Sequence, residues 1–281
     1  MKQHSKLSVI IPTFNRYKIT RGIIHQLQQQ DFPGFQIIVS DSGSTDGTQD
    51  LGKEFPEIVI LNVGANKWWS GAINEGILYA QKIKSNLLLI INDDLIIPDN
   101  LIARMMEYHQ EYPETLITTA QLELSGLIYV GSQFKGVFRE RVNIRNLPNK
   151  VINIDCSNGC CMLIPAKIFE KIGLVDEDKI PHIGGDLNIY LRAQKFGYQC
   201  IAVPDLLIKQ TSHTDYINKF SARTILNHPG SAMHFKTYLY NGNALYHSWG
   251  KFIFLGIKNH FIYIKTLAII LIKLSGASKL K

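Results

Sequence analysis

An amide and two acids, Asn92, Asp93 and Asp94, directly follow an apolar run, Leu-Leu-Leu-Ile-Ile, at residues 87–91. A run of this length bounded by polar residues is typical of a buried parallel strand. Ligands of open α/β sheets bind beyond the carboxyl ends of the strands, so these side chains would face a binding crevice. Carboxylates there can hold a hard divalent cation, which often shares its ligands with substrate phosphates. We therefore interpret the segment as a candidate cation site, with a polar turn as the alternative.

Polar side chains also follow two other predicted strands. The apolar residues 7–12 lead into Thr13-Phe-Asn-Arg16, and the strand at residues 35–40 leads into Asp41. Because the carboxyl ends of parallel strands lie at one edge of a sheet, these groups are expected near Asp94. An acid can accept a hydrogen bond from a base N–H, while an arginine and an aromatic ring can hold a phosphate or a ring. The shared edge predicts a nucleotide site, although each residue alone could be an ordinary turn residue.

Three further positions could take part in chemistry, and each has a plainer interpretation. The adjacent Trp68 and Trp69 could stack on a sugar or could belong to the core. Asp186 follows two glycines at the start of a predicted helix, so it could be a general base or a helix cap. His213 could complete a metal site or could be structural. The residues alone leave these alternatives open.

The alternation of apolar runs and amphipathic segments predicts the elements that position these residues. Strands at 7–12, 35–40, 58–63 and 87–91 alternate with helices, which predicts a parallel, right-handed α/β sheet. The helices within this part are expected at 17–30, after the capping residues at 41–47, and at 70–84. Beyond Pro98 we expect the following: a helix at 99–112; two strands, in a hairpin or at sheet edges, at 115–122 and 127–130; a mobile basic loop at 135–150; short strands at 151–156 and 161–164; helices at 165–172 and 187–196; and a final strand at 198–203.

The composition limits the class of protein. The chain has 281 residues, of which 46% are hydrophobic and 19% charged, as expected of a globular protein with a substantial core. No two of the four cysteines form a C-x-x-C pair, so a reducing, cytosolic compartment is expected. Residues 1–6 are polar and lead straight into a strand, so no signal peptide is expected.

The formal net charge of +7 is concentrated at the end of the chain. Residues 250–281 hold six lysines and neither an acid nor an arginine, which leaves +1 for residues 1–249. A nucleic-acid binder needs a basic surface on its folded domain, so nucleic acid is not expected as a partner.

Residues 241–281 are predicted to form a basic, amphipathic helical tail. Lysines at 251, 258, 265 and 273 recur every seven or eight residues and so lie along one side of a helix. Polar residues interrupt the apolar ones too often for a transmembrane span, which needs about 20 nearly uncharged residues. The pattern favours a helix lying on an anionic membrane surface, at the cytoplasmic face of the cell membrane. Packing against the rest of the chain or in a homodimer is the alternative.

Taken together, these segments resemble glycosyltransferase family 2, whose members have the GT-A fold. The matching segments follow the family's order and lie at 8–15, 39–48, 66–76, 92–94 and 186–198. The Trp-Trp-Ser-Gly-Ala sequence at 68–72 especially resembles bacterial rhamnosyltransferase-like and galactofuranosyltransferase-like members. The resemblance implies an α/β, Rossmann-like fold with a mostly parallel central sheet flanked by helices. This domain would span residues 1–240, with a nucleotide-binding half at about 1–114 and an acceptor-binding half at about 115–240.

The resemblance also implies a metal-dependent, inverting transfer of a sugar from a UDP- or dTDP-type donor. The acceptor would be a saccharide or lipid-linked molecule in the synthesis of a bacterial surface polysaccharide. Asp186 would be the catalytic base, and Mg²⁺ or Mn²⁺ would bind Asp94 and His213. The nucleotide sugar would contact the remaining candidate residues: Pro12, Thr13, Phe14, Arg16, Asp41, Asn66, Trp69, Asn92 and Asp93.

Two asparagines depart from the family pattern. Asn92 stands at the first position of the Asp-x-Asp triplet, and Asn188 replaces a possible acceptor-binding acid. They leave open a catalytically inactive, membrane-associated subunit that binds a nucleotide or glycan. A nucleotidyltransferase is a further alternative, but residues 12–15 lack the glycine-rich, basic phosphate loop that such an enzyme would need there.

Overall fold

A computed structural model describes residues 6–65, 67–123, 125–135, 138–146 and 150–211. The strands within these residues are β1 (Leu7–Thr13), β2 (Phe35–Asp41), β3 (Val59–Asn62), β4 (Leu87–Ile91), β5 (Leu95–Ile96), β6 (Thr115–Leu122), β7 (Ile128–Lys135), β8 (Phe138–Ile144), β9 (Ile152–Asn153), β10 (Cys161–Pro165) and β11 (Gln199–Gln210). The α-helices are α1 (Tyr17–Gln28), α2 (Leu51–Glu54), α3 (Trp68–Lys82), α4 (Leu101–Glu111), α5 (Ala166–Ile172) and α6 (Gly185–Lys195), and a 3₁₀ turn (Thr48–Asp50) precedes α2.

The strands form a mixed sheet whose main order is β3-β2-β1-β4-β10-β6-β11-β5. The first four strands of this order are parallel, as the alternation of strands and helices predicts. β10 then lies antiparallel between β4 and β6, while β11 is parallel to β6. The predicted α/β fold, with a central sheet flanked by helices, is confirmed; its first half is parallel and its second half is mixed.

Both faces of the sheet are buried against helices. Val9 and Ile11 of β1 pack in one apolar cluster with residues of α1 and α4, whereas Ile10 packs on the opposite face with residues of α3. Side chains of a strand alternate between faces, so a doubly covered strand needs consecutive apolar residues. All residues of Leu87–Ile91 are buried in the same way. This burial fixes the register, and with it the edge at which the polar residues after each strand lie.

The second half of the chain differs from the prediction in the segment between β7 and β9. The segment at residues 135–150, expected to be a mobile loop, contains β8, which pairs antiparallel with β7. The expectation was wrong because polar and basic side chains also suit a solvent-facing strand, and charged side chains are common where a strand would otherwise be an open edge. β6 and β7 pair antiparallel, so the hairpin alternative is confirmed. β6 itself lies inside the sheet between β10 and β11.

The antiparallel placement of β10 brings a second part of the chain to the end of β4. Cys161, the first residue of β10, lies opposite Ile91, the last residue of β4. The residues that precede β10 therefore lie beside Asn92. β11 also ends there, since the backbone N–H of Thr211 donates to the Asp94 carbonyl at 2.8 Å. Segments far apart in sequence thus meet at one edge of the sheet.

Several predictions concern parts of the chain that the structure does not describe. Asn66, His213 and the tail at residues 241–281 lie outside the described residues, so the contacts, membrane attachment and homodimer predicted for them stay predictions. Among the helices of the described residues, none combines the length and the apolar character needed to cross a bilayer.

Candidate active site

Asp93 and Asp94 form a nearly buried acidic pair after β4, with exposed fractions of only 5% and 4%. The guanidinium of Arg16, which follows β1, contacts both: Nε lies 3.3 Å from Asp93 Oδ2 and Nη2 lies 3.2 Å from Asp94 Oδ2. Adjacent carboxylates repel each other unless a positive group neutralises them. One guanidinium faces two carboxylates here, so these three side chains together keep a net negative charge when both acids are ionised.

Asp93 is held in place by side chains of β1 and α1. The hydroxyl of Thr20 donates to Asp93 Oδ2 at 3.0 Å, and that of Thr13 donates to the same oxygen at 3.3 Å. Burial raises the pKa of Asp93 to about 6; the Arg16 charge opposes this effect and the Asp94 charge adds to it. Hydrogen bonds from Thr20 and Thr13 therefore fix the orientation of the Asp93 carboxylate.

Gln210, at the end of β11, connects Asp94 with the second half of the chain. Its Nε2 donates to Asp94 Oδ2 at 3.1 Å, and Gln121 Nε2 donates to Gln210 Oε1 at 3.2 Å. The side-chain amide of Asn158 donates in turn to Gln121 Oε1. This row of amides runs along the edge of the sheet, so the position of Asp94 depends on β6 and β11 as well as on β4.

The loops after β1 and β2 are joined by hydrogen bonds. The backbone N–H of Asn15 donates to Ser44 Oγ, and that of Thr45 donates to Asn15 Oδ1, both at 2.7 Å. Asp41 is fully buried, and its carboxylate accepts from the Ser44 backbone N–H (3.1 Å) and from the Ser44 hydroxyl. Phe14, in contrast, is 53% exposed. A buried carboxylate thus orders a loop beside an exposed aromatic ring, and contact between Asp41 and a base stays a prediction.

The side chain of Trp69 connects the acidic pair with the start of α6. Its Nε1–H donates to Asn92 Oδ1 at 3.3 Å. A Cβ added to Gly159 would lie 3.0 Å from Trp69 Cζ2, and one added to Gly185 would lie 2.9 Å from Cζ3, so both glycines allow a close approach to the indole. Trp69 therefore forms a shared wall between Asn92 and the backbone next to Asp186.

Asp186 lies in the first turn of α6, where backbone donors engage both carboxylate oxygens. Oδ1 accepts from the Leu187 N–H at 2.7 Å, a local helix-start contact, and Oδ2 accepts from the Gly159 N–H at 2.8 Å, a contact from another segment. Burial raises the pKa of the Cys160 thiol, and the charges of Asp94 and Asp186 raise it further. The Gly159 N–H donates to Asp186, and the carbonyl of the next residue, Cys160, accepts from the Asn92 N–H at 2.9 Å, so one short segment connects Asp186 with the residue before the acidic pair.

Residues 8–173 match the family described as Glycosyl transferase family 2. The match spans more than half of the chain. The chain belongs to glycosyltransferase family 2. The family membership that the motifs predicted is therefore confirmed.

Curated relatives of this family 2 chain are named as glycosyltransferases. An uncharacterized glycosyltransferase of Rickettsia typhi is 26% identical over 185 residues, which are 63% of this chain and 56% of the relative. A GalNAc(5)-diNAcBac-PP-undecaprenol β-1,3-glucosyltransferase of Campylobacter jejuni is 32% identical over 111 residues, 38% of this chain and 35% of the relative. An O-antigen chain rhamnosyltransferase of Salmonella typhimurium is 25% identical over 108 residues, 38% and 34% of the two chains. The matched region thus spans between a third and just over half of these relatives.

A solved structure has the same fold. The mannosyltransferase of Pyrobaculum calidifontis, in complex with GDP-Man and Mn²⁺, is similar with a TM-score of 0.57 at 15% identity, over 99% of this chain and 87% of that chain. The fold of this family 2 chain is GT-A.

The acidic pair of this glycosyltransferase family 2 chain has the donor chemistry that a divalent cation requires. Asp93 and Asp94 offer carboxylate oxygens and Asn92 an amide oxygen, which are ligands that Mg²⁺ and Mn²⁺ prefer. Within the described residues, no group of three or more His, Cys, Asp or Glu side chains could enclose a metal. The pair therefore fits a cation that is held by one or two carboxylates and takes further ligands from water and a diphosphate. Asp94 is the candidate ligand, and the contribution of His213 stays a prediction.

Most of the described candidate residues meet at this edge. Pro12 and Thr13 are buried at the end of β1, and Thr13 contacts Asp93. Arg16 and the acidic pair form one cluster, to which Trp69 is joined through Asn92. Asp41 lies in the neighbouring loop and contacts Ser44 rather than the acidic pair.

Sequence reasoning missed several residues that shape the site. Gln210 contacts Asp94 from 116 residues away, and Thr20 contacts Asp93 from 73 residues away, so neither belonged to a local motif. Gly159 precedes a predicted strand, but only the antiparallel pairing of that strand brings it to Asp186.

Proposed function

We propose that this protein is an inverting glycosyltransferase, which transfers a sugar from a nucleoside-diphosphate donor of the UDP or dTDP type to a saccharide or lipid-linked acceptor. One observation carries the proposal: the indole of Trp69 contacts residues next to two acidic groups, the Asp93–Asp94 pair and Asp186. Trp69 donates to Asn92 beside Asp94 and packs on Gly185 beside Asp186. Sugar transfer needs one centre for the diphosphate and another for the acceptor hydroxyl, held at short range.

The donor would bind at the edge formed by β1, β2 and β4. Phe14 is exposed and can stack on a ring, while Arg16 can meet a phosphate. Asp41 would accept from the base N–H, as the family resemblance implies, and Asp94 would hold Mg²⁺ or Mn²⁺. A bound divalent cation supplies positive charge that offsets the charge on the departing diphosphate.

Asp186 would accept the proton of the acceptor hydroxyl. The N–H groups of Gly159 and Leu187 fix the orientation of its carboxylate. As the proton moves to Asp186, the hydroxyl oxygen attacks the anomeric carbon from the face opposite the diphosphate. The bond between the anomeric carbon and the diphosphate oxygen breaks, so the anomeric configuration inverts.

The names of two curated relatives support the proposed class of acceptor. The names of the Campylobacter and Salmonella enzymes describe an undecaprenol-diphosphate-linked glycan and an O-antigen chain. A bacterial surface polysaccharide or its lipid-linked precursor is therefore the proposed product, with rhamnose or galactofuranose as candidate sugars. A lipid-linked acceptor would be met at the cytoplasmic face of the membrane, where we propose that the basic tail attaches. Equal binding to anionic vesicles by the full chain and by a chain ending at residue 248 would remove the tail from this role.

A thermal-shift panel tests the donor class. Nucleoside diphosphates and their sugars, each with and without Mn²⁺, are added to the full-length protein. A bound nucleotide at a hundredfold excess over its Kd should raise the Tm by about 5 °C, since it stabilises only the folded state. We expect a UDP or dTDP compound to give the largest rise, and Mn²⁺ to increase it.

Two matched carboxylate variants test whether the Mn²⁺-dependent rise in Tm comes from binding at Asp94. Asp94→Asn should lose the part of the rise that depends on Mn²⁺. Asp50→Asn makes the same chemical change at an exposed residue that pairs with Lys53, and it should behave like the wild type. A panel in which no nucleotide stabilises the protein would count against the whole proposal.

A further inference from the structure

The helix α3 begins without a capping side chain of its own. Lys67 stands at the N-cap and its side chain makes no capping hydrogen bond, while Trp68 has a positive φ of 51°. The first backbone N–H groups of a helix have no partner within the helix, so they need acceptors from elsewhere. Two of these N–H groups, those of Trp69 and Ser70, find acceptors in one distant segment. His182 Nδ1 accepts from the Trp69 N–H at 3.3 Å, and the Pro181 carbonyl accepts from the Ser70 N–H at 3.0 Å.

The same distant segment, which connects α5 to α6 and is called here the α5–α6 loop (residues 173–184), is also tied to the middle of α3. Asn74 Nδ2 donates to the Val175 carbonyl at 2.8 Å, and Asn74 Oδ1 accepts from the Val175 N–H at 3.0 Å. The Lys67 ammonium lies 2.6 Å from a carboxylate oxygen of Glu177. These contacts fix the first part of the loop, whereas His182 and Pro181 fix its last part.

The last part of the loop leads directly into Asp186. Three residues separate His182 from Asp186, and Gly185 among them packs against the indole of Trp69. The ring of His182 also lies against Trp68, with 5.8 Å between ring centroids. The distance between the Asp186 carboxylate and the wall formed by Trp69 therefore depends on how firmly the loop is held at the start of α3.

We propose that His182 is a positioning residue, which caps α3 through Nδ1 and thereby holds Asp186 at its working distance from Trp69. An imidazole nitrogen that accepts an N–H cannot carry a proton, so the ring is neutral and its proton is on Nε2. The role in turnover rests on the proposed function, whereas the capping role concerns the fold and can be tested without a substrate.

Hydrogen exchange tests the capping role. The measurement follows exchange of backbone amides at residues 68–74 and 180–190 in the full chain, for the wild type and for His182→Ala, His182→Asn and His182→Gln. In His182→Ala both segments should exchange about fivefold faster, because the loss of an N-cap acceptor opens a helix end by about this factor. Asn carries its oxygen at the δ position of Nδ1, so His182→Asn should restore slow exchange, whereas Gln extends to the ε position and should not.

Turnover of the donor found in the nucleotide panel tests the positioning role. His182→Ala should lower kcat by about tenfold to a hundredfold, because misplacing a catalytic group by about 1 Å has an effect of this size. The donor KM should change much less than kcat, and His182→Asn should restore kcat. His25→Ala serves as a matched control, since His25 is also half-buried against an aromatic ring, that of Phe55, but lies on α1.

Three results would overturn the proposal. Unchanged exchange at 68–74 in His182→Ala would remove the capping role, and rescue by Gln but not Asn would show that Nε2 is the atom that matters. If His182→Ala does not fold, the comparison of Asn with Gln still decides between the two nitrogens. Slow exchange restored by Asn without recovery of kcat would end the positioning role alone. Failure of the proposed function would appear differently, as a wild-type protein without turnover but with the exchange pattern described.

Discussion

Arg16 lies within 3.3 Å of Asp93 and 3.2 Å of Asp94, and both acids are almost completely buried. Its guanidinium thus occupies the position next to the acids at which a cation would also be attracted. When a diphosphate binds with a cation, its negative charge gives Arg16 a further partner. We infer that cation and nucleotide bind together at this site, because the cation alone would have to compete with Arg16.

Replacing Arg16 should separate the two binding events. In Arg16→Gln the acidic pair loses its positive neighbour, so Mn²⁺ should bind without nucleotide at least about tenfold more tightly than to the wild type. Titration of Mn²⁺ followed by electron paramagnetic resonance, with and without UDP, measures this change. Arg21→Gln removes the same group from α1 at a surface pair with Glu54 and should have no effect. Equal Mn²⁺ affinity of wild type and Arg16→Gln would show that Arg16 does not compete with the cation.

The helix α3, which carries Trp69, packs closely on the sheet. Gly76 of α3 lies against β1: a Cβ there would clash with Ile10 Cγ2, whereas a Cβ on Gly22 of α1 would meet nothing within 4 Å. The helix therefore approaches the sheet so closely that only glycine fits at the contact.

Two glycine-to-alanine variants compare these helices. Gly76→Ala should lower the free energy of unfolding by about 1–3 kcal/mol, because the added methyl group forces the helix away from β1. Gly22→Ala should raise it by about 0.5–1 kcal/mol, since alanine is the better helix former where space is free. Denaturant-induced unfolding monitored by circular dichroism measures both. Similar effects of the two variants would contradict the close contact between α3 and β1.

The first half of the fold could be predicted from the sequence because its signals are local. The apolar runs of β1, β2 and β4 alternate with amphipathic helices, and the residues after each strand are polar. These runs were located to within one or two residues. The motifs at their ends also matched the family pattern, so the edge that carries Arg16 and Asp94 was predicted correctly.

The second half could not be predicted to the same degree because its contacts are long-range. β8 is polar and resembles a loop, and β5 has only two residues, Leu95 and Ile96, which is too short to give a pattern. The sequence gives only a weak sign that α3 is capped from elsewhere, namely that Lys67 is not a residue type that caps helices. Which residue supplies the missing acceptor depends on the path of a loop 113 residues further along, and no periodicity in the sequence encodes that path.

At the scale of the whole molecule, the site joins the two halves of the chain. The acidic pair and Arg16 come from the parallel half of the sheet, whereas Asp186, Gly159 and Gln210 come from the mixed half. β10 makes this junction, because it lies beside β4 in the antiparallel direction. Under the proposed function, donor binding would depend mainly on the first half and proton transfer on Asp186 of the second, so a substitution at Asp186 should remove proton transfer without removing donor binding.

The replacement of Asp186 by asparagine tests this separation most directly. Asp186→Asn keeps the size of the side chain and an oxygen that can accept from a backbone N–H, but it cannot take up a proton at the pH of the reaction. Nucleotide affinity in the presence of Mn²⁺ should equal that of the wild type, while turnover of the donor should fall by about 10²-fold or more. Both are measured on the same preparations, by calorimetry and by release of the nucleoside diphosphate. Unchanged turnover in Asp186→Asn, with wild-type nucleotide affinity, would contradict the assignment of Asp186 as the catalytic base.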